Sequence, residues 1–274
     1  MTTKKTTPLE AGPETEPQKV EETPFEAVAS ICSVLVVGLF ILYFLGQNFV
    51  IPSGSMENTL LVGDHLLVDR ITFAPPAKWM PLVHYREPRR GDIIVFIKPV
   101  PDDVNGEPQY LNLVKRLVAI PGDHLHLRDG LVYVNGQPQP IAKTALEGPT
   151  VGGSEQIFLD EFPAVAPVPE PGNLIPESWA IEFPNYVQNG ELLVPPGKYF
   201  MMGDHRHDSA DSRFWGFVPR ENIIGRPLFN YWSFKTPDNE YDKTGIASKV
   251  AWLGHVAVHF FTDTRWSRTL KIMR

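Results

Sequence analysis

Residues 27–45 form a run of 19 residues without a charged side chain. Wound as an α-helix at about 1.5 Å per residue, the run reaches roughly 28 Å, close to the hydrocarbon thickness of a bilayer. A helix buried in a water-soluble core would show a polar face, and this one shows none. A cleaved signal peptide has a shorter apolar region and would not follow about 26 residues of leading chain. The run therefore predicts one transmembrane anchor over 27–45, with Tyr43 suited to the interface. Cys32, the single cysteine, lies inside it, which excludes an intrachain disulfide, a Cys-ligated zinc and a catalytic Cys-His pair. Lys4, Lys5 and Lys19 precede the run, and the next Lys or Arg is Arg70. That asymmetry places the N-terminus in the cytoplasm and the body outside. Residues 1–24, rich in Pro, Glu and Thr, predict a disordered tail.

Beyond the anchor, short runs of Val, Ile, Leu and Phe recur between Gly, Pro and Asp. Strands are predicted at His65-Leu66-Leu67-Val68, Asp92 to Ile97, Asn112 to Ile120, and Leu131-Val132-Tyr133-Val134. Turn signals Arg128-Asp129-Gly130 and Asn135-Gly136 bracket the last. No helical period of comparable strength occurs over 60–235. The fold class expected is mostly β, an antiparallel domain from 46–136 and 197–234. Residues 137–196, rich in Pro, Gly and Glu, read as a β-rich insertion with little core of its own, with a weak strand signal at Gln156 to Leu159. Residues 235–248 read as a linker and 249–261 as an apolar run too short to span. Residues 265–274 are basic with interleaved apolar side chains, equally suited to an anionic membrane surface and to a solvated terminal helix. The net charge of −7 and the lack of a basic stripe in the body exclude a nucleic-acid partner.

Three segments carry chemistry. Pro52-Ser53-Gly54-Ser55-Met56 places two candidate hydroxyls in a small turn just past the anchor. In the predicted strand around Lys115, alternation puts Leu111, Leu113, Lys115, Leu117 and Ala119 on one face and Arg116 on the other. An amine in an apolar row loses hydration, its pKa falls, and it becomes a usable general base. Taken alone, a strand lysine is more often a snorkelling edge residue. Gly203-Asp204-His205-Arg206-His207-Asp208-Ser209-Ala210-Asp211-Ser212-Arg213 is a polar loop between apolar flanks that can cross-link itself by charge-assisted hydrogen bonds. Two His-x-His pairs, at 124/126 and 205/207, raise zinc, but no third ligand stands at recognisable spacing; no metal or other cofactor is expected.

Together these segments resemble the bacterial type I signal peptidases. The turn after an anchor, the Lys115-Arg116 strand followed by Pro121-Gly122-Asp123, and the Gly-Asp…Ser-Ala-Asp-Ser-Arg loop occur in the family's order. Arg90-Gly91-Asp92-Ile93-Ile94-Val95-Phe96 and Arg213-Phe214-Trp215-Gly216-Phe217-Val218-Pro219 match as well. The resemblance covers about residues 46–134 and 198–234. It implies a membrane-bound serine endopeptidase that removes signal peptides from exported preproteins at small-x-small sites, with Ser55 as nucleophile and Lys115 as general base. It further implies that Ser53 donates to the oxyanion, Ser209 orients Lys115, and Asp211 and Arg213 pair to hold their loop. The substrate would lie as an added strand beside 50–53 and 112–115. Ile51, Pro52, Met56, Leu60, Leu113, Val114, Met202 and Ala210 would contact it. The implied partners are signal-peptide-bearing preproteins and membrane lipid, and the implied setting is a monomer near the secretion translocon of a bacterial cytoplasmic membrane.

Asn58 stands where the family usually has proline, and His205 and His207 where it has Asn and Asp. None is a proton-transfer position. A self-cleaving repressor-type Ser-Lys protease would carry a DNA-binding domain rather than an anchor. An inactive membrane assembly protein would need neither Ser55 nor Lys115. A zinc hydrolase would lose activity to a chelator.

Overall fold

The structure, a computed structural model, describes residues 23–40, 46–57, 59–77, 84–104, 106–129, 131–139, 161–164, 175–237, 239–241 and 243–273. Two units divide between Phe40 and Ile41. The first contains helix α1 (Pro24–Phe40). Its start is a capping box with proline at the first helical position: the Glu26 N–H donates to Thr23 Oγ1 at 3.3 Å, and the Glu26 carboxylate accepts the Thr23 N–H at 2.8 Å. No residue of α1 is buried. Among the described residues no helix is long and apolar enough to cross a membrane. Residues 41–45 of the expected 27–45 span, and 1–22 of the tail, lie outside the described residues.

The second unit is mostly antiparallel β. Its strands are β1 (Gly46–Val50), β2 (Asp64–Asp69), β3 (Ile93–Ile97), β4 (Asp102–Val104), β5 (Glu107–Gln109), β6 (Asn112–Ala119), β7 (His124–Arg128) and β8 (Leu131–Val134). Then come β9 (Gln137–Pro138), β10 (Val187–Gln188), β11 (Glu191–Leu193), β12 (Lys198–Met202), β13 (Val218–Pro219), β14 (Ile223–Ser233) and β15 (Lys271–Ile272). The main sheet runs β1-β2-β14-β3-β6-β12-β13, with β15 on β14; a second runs β10-β11-β7-β8-β9; β4 and β5 form a hairpin. The strands expected around 65–68, 92–97, 112–120 and 131–134 are β2, β3, β6 and β8. Strict alternation in β2 buries Asp64, Leu66 and Val68 and leaves their neighbours half-exposed.

Two of the Gly-Asp motifs are clamps on turns. Asp92 accepts both terminal nitrogens of Arg86, at 2.6 and 2.8 Å, and the Arg89 N–H at 2.8 Å. Asp123 accepts the Ile120 N–H at 2.8 Å, the Asn135 amide at 3.0 Å and the Arg90 guanidinium, so it ties the end of β6 to the β8–β9 turn.

Residues 140–160, including the weak strand signal, and 165–174 lie outside the described residues. The described remainder of 137–196 differs from an insertion with little core. It contains helix α2 (Glu177–Tyr186), whose Trp179 and Phe183 are buried with Phe162, Phe200 and Phe217. Strands β10 and β11 add to β7 and β8. The α2 stripe is Trp179, Phe183 and Tyr186, at helical spacing. Pro184 inside the helix hides that period from the sequence.

Helix α3 (Ile246–Asp263) begins inside the stretch read as a linker, 235–248. Arg265 and Arg268 turn inward instead of lying in solvent. Arg268 donates to Asp64 at 2.5 Å and to Thr59 O at 2.9 Å, and Arg265 caps Val62 O at 2.9 Å.

Candidate active site

At the end of β1 the backbone of Ile51 is held on both sides. Its N–H donates to Asp64 O at 2.9 Å, and its carbonyl accepts the Gly63 N–H at 2.9 Å. Gly63 has φ of 84°, and a Cβ there would stand 2.1 Å from Phe234 O, so the position takes only glycine. The chain then runs extended through Ser53 into one 3-10 turn, Gly54–Met56. Met56 is buried against Ile51 and Leu60, which fixes the turn from below. Ser53 and Ser55 are left facing a cleft of about 440 Å³.

The opposite wall is β6. Residues Asn112 to Arg116 pair with β3 on one edge, while β12 pairs on the other edge only from Arg116 onward. Residues 112–115 thus border the cleft. Lys115 is 3% exposed. Burial lowers its pKa to about 8, with Asp211 pulling it upward and Arg213 pushing it further down. Its Nζ donates to Ser209 Oγ at 3.0 Å. The apolar row read from sequence holds from Leu113 through Ala119, whereas Leu111 is exposed at the cleft mouth. Arg116 points the other way and grips Asp204 with two nitrogens, at 2.7 and 2.6 Å.

The 203–213 loop is cross-linked behind Lys115. Asp211 is wholly buried and caps the helical turn Ser212–Trp215. Its carboxylate accepts the Gly203 N–H at 3.0 Å, the Arg213 N–H at 3.2 Å and two Arg213 guanidinium nitrogens, each at 2.9 Å. Burial works against its charge, but the Arg213 charge and these bonds prevail and hold its pKa below the usual carboxylate value. Arg213 also donates to Arg206 O at 2.7 Å. The loop touches the serine turn directly: the His205 N–H donates to Ser55 O at 3.1 Å. A Cβ at Gly203 would meet Ser209 Oγ at 2.2 Å and Ser55 O at 2.5 Å. Helix α2 supports this loop from outside, with Trp179 Nε1 donating to Arg213 O at 3.2 Å.

Ile51, Pro52, Ser53, Ser55, Met56, Leu113, Val114, Lys115 and Ala210 therefore share one cleft. Ser209, Asp211 and Arg213 form its backing. Leu60 and Met202 do not line it: both are fully buried, in the cores beneath the serine turn and beneath β12. Lys98, Asp102 and Trp215 line it without having been singled out by sequence. Lys98 and Asp102 are ion-paired with each other. Lys98 reaches this place because it continues β3 along β6, its N–H donating to Leu111 O at 2.8 Å. Gly203, Asp204 and Arg116 stood inside recognised motifs, but nothing in their spacing tells that they join. His126 Nδ1 sits 2.9 Å from Glu191 and stacks on Tyr133, remote from the cleft residues in the second sheet. Among the described residues no group of three or more His, Cys, Asp or Glu side chains is placed to hold a metal.

Comparison with known proteins agrees with this geometry. The family described as "Signal peptidase, peptidase S26" matches residues 25–232. A signal peptidase I of Buchnera aphidicola is 30% identical over 255 residues, covering 81% of this chain and 79% of its own. The signal peptidase I of Aquifex aeolicus is 32% identical, covering 77% of this chain and 85% of its own. That of Rickettsia typhi is 33% identical, covering 79% and 83%. A match across three quarters of the sequence, spanning both the serine turn and the lysine strand, assigns the chain to the signal peptidase family, peptidase S26, a family of serine endopeptidases.

Proposed function

We propose that this chain is a membrane-anchored endopeptidase that removes signal peptides from exported preproteins, with Ser55 as nucleophile and Lys115 as general base. Residues 27–45 would span the cytoplasmic membrane once, with the N-terminus inside and the catalytic unit outside. The enzyme would act as a monomer on preproteins leaving the translocon. The charge-free run and the unburied apolar side chains of α1 support the anchor.

One observation carries the chemistry. Lys115 is a buried amine with a pKa near 8, held by Ser209 on the same cleft as Ser55. In its neutral form Nζ takes the Ser55 hydroxyl proton as Oγ attacks the scissile carbonyl carbon. The oxyanion that forms accepts hydrogen bonds from the Ser53 hydroxyl and the Ser55 N–H. Lys115 then passes its proton to the departing amine, leaving the signal peptide as an ester on Ser55. Water attacks that ester and gives a proton to Lys115; as the C–Oγ bond breaks, Lys115 returns that proton to the Ser55 oxygen, releasing the signal peptide's carboxyl group and restoring both residues. The substrate backbone lies extended against 112–115, where the β6 edge is open. Val114, Met56 and Ala210 leave room for small side chains on either side of one unconstrained position.

The specificity test uses the purified full chain in detergent micelles and a preprotein ending its leader in Ala-x-Ala. A single cut after the second alanine is expected. Leucine at either alanine should slow cleavage by roughly a hundredfold, because a shallow pocket cannot accept it without strain of a few kcal/mol. Cleavage indifferent to these residues, or none at all, overturns the reading.

The base also fixes the pH dependence. Catalysis requires the neutral amine, and the Lys115 pKa is lowered to about 8. The value of kcat/KM should therefore fall tenfold per pH unit well below 8 and level off above it. An acid limb near the ordinary lysine value, or one near 6, would remove Lys115 from the role of base.

A further inference from the structure

The side chains of β6 divide between two clusters. Val114 packs with Ile51 and Met56, whereas Leu113 packs with Phe96 and Trp215. Lys115 shares the Leu113 face, and Lys98, two residues beyond Phe96, continues that face along β3. The cleft therefore has two walls of different chemistry. One is apolar, made by Ile51, Met56 and Val114. The other carries the charge: Lys98, Asp102, Lys115 and Asp208 line the cleft there with Leu113 and Trp215. Asp208 joins this wall through its neighbour Ser209, which accepts the Lys115 amine at 3.0 Å. The charges do not cancel. Lys98 and Asp102 are paired with each other, and Lys115 works as the neutral amine. Asp208 is left over, its side chain 78% exposed. Among the described residues its one ion-pair partner is His205, whose Nδ1 is 4.0 Å away and stands nearer to Glu57, at 3.6 Å. Asp103 adds a carboxylate in the adjoining hollow of about 170 Å³, which Lys98, Asp102 and Trp215 also border.

A strand added at 112–115 turns successive side chains to opposite faces. The two small side chains of a small-x-small site enter the apolar wall, so the one between them meets the charged wall. Its size is unconstrained there, but its charge is not. We infer that this wall selects the middle side chain by charge, favouring lysine or arginine over a neutral residue, and a neutral residue over aspartate or glutamate. Asp208 sets the sign of the selection, and Asp102 keeps Lys98 from reversing it. The inference rests on the proposed cleavage by Ser55 and Lys115, and it adds to that reading a discrimination among substrates that side-chain size does not supply. A single charge pair at so open a site changes a rate by up to about fivefold, so attraction of a cation and repulsion of an anion together separate the two by roughly tenfold.

The test uses the purified full chain in uncharged detergent and three soluble peptides, identical except for Lys, Gln or Glu between the alanines of an Ala-x-Ala site. Rates are read about one pH unit above the Lys115 pKa, where that amine is mostly neutral and a peptide lysine is still charged. Asp208 pulls the Lys115 pKa upward, so its replacement moves the acid limb down, and reading above the limb keeps that effect out of the comparison. In low salt kcat/KM should be roughly tenfold higher for the Lys peptide than for the Glu peptide, with Gln between them. At about 1 M salt, where charges are screened beyond about 3 Å, the three should converge. Asp208→Lys should invert the order and make the Glu peptide the best of the three, which a purely structural role for Asp208 would not do. Asp102→Asn leaves the Lys98 charge uncancelled and should move the ratio in the same direction. Equal rates for the three peptides in low salt overturn the inference and leave the protease standing, and so does an order that survives Asp208→Lys. A ratio unmoved by Asp102→Asn removes Lys98 and Asp102 from the selecting wall. Cleavage of none of the peptides overturns the protease reading and this inference with it.

Discussion

Ser55→Ala and Lys115→Ala should each reduce kcat/KM on a preprotein by about 10⁴-fold or more, with the double variant no worse than either alone, under the proposed roles of nucleophile and base. Non-additivity follows because the hydroxyl and the amine act on one proton; once either is gone the other has nothing to do. Lys115→Arg should fail equally, since a guanidinium stays protonated and cannot accept a proton. The comparison is clean at Ser55. The side chain lies on a half-exposed turn, so its loss changes stability by no more than about 0.5 kcal/mol. Initial rates on the purified full chain, with circular dichroism to check folding, decide the matter. Cleavage by any of the three single variants within tenfold of the parent would remove that residue from catalysis.

The largest effect on stability is expected from Arg213→Met. Arg213 is 1% exposed and its partner Asp211 is fully enclosed. Removing the guanidinium leaves a buried carboxylate with two backbone N–H groups, a loss of about 3–5 kcal/mol. In a body of this size that is a fall in melting temperature of roughly 10 °C. The sign with pH can be worked out. In the parent, Asp211 has a lowered pKa, so its contribution is complete above the ordinary carboxylate range and fades as pH falls through the folded value. In the variant, burial is opposed only by the two backbone N–H groups and the Lys115 charge, so the same pKa rises and protonation relieves the strain. The gap between parent and variant should therefore narrow in acid. Arg213 also pushes the Lys115 pKa down. Its removal should move the acid limb of activity to higher pH, which a purely structural role would not do. Equal melting curves for parent and variant, or a gap that widens in acid, would show that Asp211 is not held as described.

The strands β2 and β8 could be read from the chain because each alternates over a buried face, while β3 and β6 could be read as short apolar runs of Ile, Val, Leu and Phe set between Gly, Pro and Asp. The apolar row around Lys115 could be read as well, but the row alone suited a snorkelling edge lysine better, and only the resemblance to the family pointed to the buried amine the structure contains. What could not be read was meeting. Asp204 and Arg116 lie 88 positions apart and neither is unusual where it stands; only the register of β6 against β12 brings them together. Leu60 and Met202 fit a substrate pocket by type, yet fall on the inner sides of their segments, and sidedness in a turn has no period to reveal it. Helix α2 escaped because proline and acidic residues interrupt its apolar stripe. Its value comes from aromatic packing with Phe162, Phe200 and Phe217, all distant in sequence.

β1 is a terminal strand of the main sheet and β6 its fifth member, yet residues of both line one cleft. The sheet must curl far enough to bring them face to face without joining them. Most proteins blunt an open strand edge with lysine, proline or a bulge, because bare backbone recruits other strands and aggregates. The edge at 112–115 cannot be blunted in that way if a preprotein is to pair with it. Its protection is concavity: one extended chain can enter the gap between β1 and β6, whereas the edge of another folded sheet, with its own layer of side chains, cannot reach the backbone there.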